Sequence, residues 1–157
     1  MRPKIKWLNL DETLRKLDQL VDIESQIPIE PIRTQVEQHA LLGVDANVYS
    51  TEPGAYERTE ELKRSIYAKV MSGTLGVEVG ATADYASHVE YGSSVNALNQ
   101  SQLEGAVTGR GKPESPLTLG RSGVRWTLPG PFVLPAAVYG RLLLEKAFVS
   151  AVKKVWG

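Results

Sequence analysis

The chain has 157 residues, no cysteine, 42% hydrophobic side chains and a formal net charge of zero. That length fits one compact domain over residues 1–157, and without cysteine there is neither disulfide nor thiolate chemistry, which leaves His39 and His88 as the nitrogen donors for any metal. Neutral charge argues against a DNA binder that works by bulk basicity, and no apolar run reaches the roughly 18 residues that span a bilayer or forms a signal peptide, so synthesis and folding are expected in a cytoplasm.

Residues 4–8 read as a short strand with Ile5 and Trp7 on one face. Asn9, with Glu12 three residues on, reads as a helix cap. Leu10, Leu14, Leu17 and Val21 then recur at helical spacing, and the helix is expected to end near Ile23. The prolines of Ile27-Pro28-Ile29-Glu30-Pro31 disfavour helix in the residues before them. Pro31 suits the first turn of a second helix, in which Ile32, Val36, Ala40, Val44 and Val48 step by four, with Gly43 as a weak point. Residues 50–58 read as a loop, and Thr59 as the cap of a short helical turn.

A hairpin follows. Ile66, Ala68 and Val70 alternate with Tyr67, Lys69 and Met71; Ser72-Gly73 is the expected turn; Leu75, Val77 and Val79 alternate with Gly76, Glu78 and Gly80. Such alternation predicts one buried and one wet face. Asp84 is the expected cap of another short helix that stops at Gly92. Residues 93–130 lack periodicity and hold six glycines and three prolines. They are expected to be a long mobile loop or extended hairpin, or a segment that folds on a partner, with a strand over 124–128 on the return. Pro135 opens the last helix. Val138, Leu142, Val149, Val152 and Trp156 make one apolar stripe, and Leu144, Phe148, Ala151 and Val155 a second. One face can pack on the sheet, and the other is left for a further element or a neighbouring chain.

Charge is unevenly spread. Residues 11–61 carry twelve acids and four bases, and the remainder of the chain is net basic. Either these are solvated helix faces of unlike sign, or an acidic flank on one copy meets a basic flank on the next in a head-to-tail contact.

Candidates for chemistry are few. Gly105 through Lys112 resembles a phosphate-binding loop, but Gly105 lies one residue too early and Pro113 follows Lys112. Asp84, His88 and Glu90 could hold a metal or serve a small hydrolase, yet a capping Asp and ordinary helix residues explain them as well. Glu57, Glu60 and Glu61 read as solvated charges favoured at a helix start. Catalytic residues, metal and cofactor are therefore all expected to be absent. Arg110, Lys112, Arg121 and Arg125 decorate the long loop, with Trp126 as its aromatic. They are either solvated or make contact with an acidic protein or a nucleic-acid backbone, so a small nucleic-acid-binding module is the alternative reading.

Three blocks occur in order: Thr59-Glu60-Glu61-Leu62-Lys63-Arg64-Ser65-Ile66, Tyr85-Ala86-Ser87-His88-Val89-Glu90-Tyr91-Gly92-Ser93 and Pro131-Phe132-Val133-Leu134-Pro135-Ala136. In these the chain resembles the head–tail joining, or tail-completion, proteins of long-tailed bacteriophages, the gp-ten-like family of the Hong Kong ninety-seven type. That family's blocks read Thr-Gly-x-Leu-x-x-Ser-Ile, Tyr-Ala-x-x-Val-Glu-aromatic-Gly-Thr and Pro-Phe-Leu-x-Pro-Ala. Glu60 stands for the usual Gly, Ser93 for the usual Thr, and the loop between the second and third blocks is long.

The resemblance implies an α+β fold: a small antiparallel sheet packed against N-terminal helices and a long C-terminal helix. It also implies a structural virion protein of the neck, a homo-oligomeric ring between portal-side adaptor and tail-tube proteins, with no membrane and with DNA at most passing through the lumen. Tyr85, Val89, Phe132 and Pro135 are the expected fold anchors, with Tyr85, Val89 and Tyr91 near the sheet. Tyr91, Gly92, Arg110, Lys112, Arg121, Arg125 and Trp126 are the candidate subunit or partner contacts.

Overall fold

The computed structural model describes residues 10–50, 60–93, 97–109 and 129–156. The expected strand over 4–8, the caps Asn9 and Thr59, Glu57, the return strand over 124–128, and Arg110, Lys112, Arg121, Arg125 and Trp126 lie outside the described residues. The fold is α+β. Helix α1 spans Leu10–Val21 and is followed by a 3-10 turn, Ile23–Gln26. Helix α2 spans Ile29–Val44 and continues as a π turn, Asp45–Tyr49. Then come α3 (Glu61–Arg64), β1 (Ile66–Val70), β2 (Val77–Ala81), α4 (Ala86–Tyr91), α5 (Gln100–Gly109) and α6 (Val133–Trp156).

The core is organised by α2. Ile32, Val36, Ala40, Val44 and Val48 are all at most 4% exposed, so the stripe of fours runs unbroken through the helix and its π turn. Each of the four larger side chains, Ile32, Val36, Val44 and Val48, contributes roughly 2 kcal/mol by leaving water. The stripe packs chiefly on α6 and on the inner face of the hairpin. The strands pair antiparallel with Ile66 opposite Ala81 and Val70 opposite Val77. Ile66 is buried, and Ala68, Val77, Val79 and Ala81 lean on the same core. On the wet face Glu78 accepts from Tyr67 Oη at 3.0 Å and pairs with Lys69 Nζ at 3.1 Å. Lys69 first, then Tyr67, hold the Glu78 carboxyl below its ordinary value.

Three expectations change. The hairpin turn is wider than Ser72-Gly73: Met71 N–H donates to the Gly76 carbonyl at 3.0 Å, so Leu75 falls in the turn, where Gly73 takes φ 75°. Gly43 is no weak point but a contact. A Cβ there would lie 3.0 Å from both Cα and Cβ of Phe132, and one at Gly140 would lie 2.7 Å from Val36 Cγ2. Two missing side chains thus let α2, α6 and the segment leading into α6 approach closely. Finally, part of the stretch expected to be structureless is helix α5. The Asn99 Oδ1 accepts from Gln102 N–H at 2.9 Å while Gln102 Oε1 accepts from Asn99 N–H at 3.0 Å. This reciprocal pair is a capping box written with amides. It starts a helix whose Leu103 is fully buried with Val138, against Tyr91, Leu98 and Leu134.

Candidate functional site

A buried polar construction stands at the joint between α4 and the start of α6. Helix α4 begins where Ala86 N–H donates to the Ala83 carbonyl at 2.9 Å. Its cap position is Tyr85, which makes no side-chain cap bond, so the expected cap Asp84 is one residue too early and is exposed. Val89 faces the core and is fully buried, with Tyr85 leaning on the same cluster. The helix ends on Gly92, whose φ of 80° is open to glycine at little cost. Tyr91 does not lie near the sheet as expected. It packs on the α5 side, with Leu103 and Val138.

Glu90 is 3% exposed. Its Oε2 accepts from the N–H groups of Phe132 and Val133 at 2.8 and 3.0 Å, and its Oε1 accepts from Leu134 N–H at 2.8 Å. A helix start leaves four N–H groups without intrahelical partners. Here three end on one carboxylate, and the fourth position is Pro135, which has no N–H. The helix dipole adds to the attraction for a negative group at this end. Burial pushes the Glu90 carboxyl above its ordinary value, against the pull of the three N–H groups.

The incoming segment is gripped twice more. Gly130 N–H donates to the Val89 carbonyl at 2.7 Å, and the buried Asn47 Nδ2 donates to the Pro131 carbonyl at 2.6 Å. Phe132 then enters the core fully buried, and Pro135 is buried behind it. Of the four expected fold anchors, Val89, Phe132 and Pro135 are buried and Tyr85 is half-buried. Leu62 and Ile66 of the first block are buried in the same cluster. Just before them Glu60 adopts φ 56°, a left-handed conformation that a glycine takes without strain.

The candidate catalytic trio does not assemble. Asp84 and His88 are exposed, whereas Glu90 is buried and turned to the backbone of 132–134. No group of three or more potential metal-ligating side chains occurs among the described residues. Sequence reasoning missed the role of Glu90, whose partners lie 42 to 44 residues away, and that of Asn47, whose partner is 84 residues away. No local pattern announces such bonds; the strings Val89-Glu90-Tyr91-Gly92 and Pro131-Phe132, already singled out in the sequence, were the available signal. Of the candidate contacts that are described, Gly92 is buried and Tyr91 half-buried. No family model, no curated protein and no solved structure matches the chain.

Proposed function

We propose that this chain is a structural virion protein of the phage neck, which completes the tail and joins it to the head by assembling as a ring. The observation that carries the reading is the use made of the three blocks behind the resemblance. The second and third meet at one joint and the first packs in the same core, and their most reactive-looking side chain, Glu90, is committed to three backbone N–H groups. Leu62 and Ile66 from the first block, Val89 from the second and Phe132 from the third share one hydrophobic cluster. A string of residues whose chemistry is spent on holding two helices together suits a building block better than an enzyme. In this reading the compact body is the ring unit, and the excursion between Gly92 and Gly130 reaches towards adaptor or tail-tube proteins.

The test is electron microscopy and light scattering of the purified chain, alone and mixed with tail-tube and adaptor proteins from its source genome. Rings or partner-capped tubes are expected. A chain that stays monomeric and unbound with both partners present overturns the proposal.

A further inference from the structure

Helix α1 carries an apolar seam that its own fold leaves open. Leu10, Leu14, Leu17 and Val21 follow a 4-3-4 spacing, which is the seam of a coiled-coil helix. They are 45%, 49%, 46% and 86% exposed, and no residue of α1 is buried. Within the chain α1 leans on its surroundings by another face: Leu20 packs on the core, and Lys16 Nζ stands 5.8 Å from the Trp156 ring centroid.

The outward face of α6 has a matching form. Leu142 and Val149 stand seven residues apart, and Val149 is 44% exposed. A trough of about 460 Å³ runs along this face, lined by Leu142, Glu145, Lys146, Val149, Ser150 and Lys153.

We propose that the α1 seam packs on the outward face of α6 from a second copy of this chain, with Asp11 and Asp18 opposite Lys146 and Lys153. Charge decides the pairing. Asp11 and Asp18 each follow a seam position of α1, are exposed, and stand seven residues apart. Lys146 and Lys153 run beside the α6 seam, are exposed, and also stand seven residues apart. Seven helical residues rise about 10.5 Å, so two rows of equal pitch meet at both rungs. In antiparallel packing, where matching flanks of the two helices meet, setting α1 on α1 brings the acidic rows together and setting α6 on α6 the basic rows, whereas the mixed pair opposes unlike charge. Glu145 borders the α6 seam on its other side, where α1 offers the uncharged Thr13 and Leu20. The inference rests on the self-assembly reading above and names its surface.

Analytical ultracentrifugation of the full chain, from micromolar to millimolar concentration at low salt, tests it. Self-association is expected for the wild type. Leu14→Glu with Leu17→Glu should abolish it and leave the thermal midpoint unchanged. Asp11→Lys with Asp18→Lys should weaken it by about tenfold or more, and adding Lys146→Asp with Lys153→Asp to that variant should restore it. Three results overturn the proposal: a wild type that is monomeric at millimolar concentration, a charge swap that the second swap does not rescue, or a Leu14/Leu17 variant with lowered midpoint and unchanged mass. The last would mean that the seam is covered within its own chain. Failure of the neck reading looks different: a chain that associates through this seam yet ignores tail-tube and adaptor proteins.

Discussion

Helices α1 and α2 each carry an apolar stripe at helical spacing, and they meet opposite fates. The stripe of α2 is at most 4% exposed from Ile32 to Val48, whereas that of α1 is at least 45% exposed along its length. Periodicity establishes that a helix has an apolar face; what covers that face is a property of the tertiary arrangement. For α2 the cover is α6, the hairpin and Phe132, brought close by Gly43 and Gly140 and locked by Glu90. The contrast separates residues that hold the unit together from residues available to join units.

Breaking the buried side should have the larger effects. Glu90→Ala removes three charge-assisted bonds and strands three donors in a dry site. A loss of about 4 kcal/mol is expected in urea denaturation, enough to threaten folding. Gly43→Ala pushes a methyl group into the Phe132 backbone and should cost about 2 kcal/mol in the same assay. Glu60→Gly should stabilise by about 1 kcal/mol, since it relieves the left-handed conformation. On the exposed side, Leu14→Glu with Leu17→Glu should change stability by less than about 0.5 kcal/mol. If that pair costs as much as Gly43→Ala, the division between the two helices is wrong.

The ionisation of Glu90 sharpens the same division. Its folded carboxyl sits above the ordinary glutamate value because it is buried. In the window between the ordinary and the raised value the folded state holds more protons than the unfolded state, so stability falls as pH rises through it. Unfolding midpoints of the wild type and of Glu90→Gln, measured across that window, should therefore show the wild type losing ground with rising pH. An opposite slope would mean that the three N–H groups outweigh desolvation.

Much of the fold was legible. The stripe of α2, the two strands and the arrest at Gly92 follow from local spacing and from residue types with narrow conformational preferences. Helix α5 was missed because its apolar pattern is thin; its Asn99–Gln102 amide pair was the readable sign. The wider hairpin turn escaped because a Ser-Gly pair suits several turn lengths. The joint itself was out of reach of local reasoning. A glutamate in a short helix looks like any solvated charge until the backbone it serves arrives from 42 residues downstream.

That joint also bears on how such a chain can change over time. The segment that departs after Gly92 returns at Gly130, and both ends are tied to α4: Gly92 N–H to the His88 carbonyl at 3.0 Å, Gly130 N–H to the Val89 carbonyl at 2.7 Å. Closing a longer loop between fixed ends costs only about 0.6 kcal/mol for each doubling of its length. Insertions or deletions downstream of α5, between residues 110 and 128, should therefore leave the body standing, whereas loss of α5 would strip the cover from Val138 and Leu134. With its exit and re-entry both fixed on α4, the part beyond α5 is a cassette whose length can change without renegotiating the core.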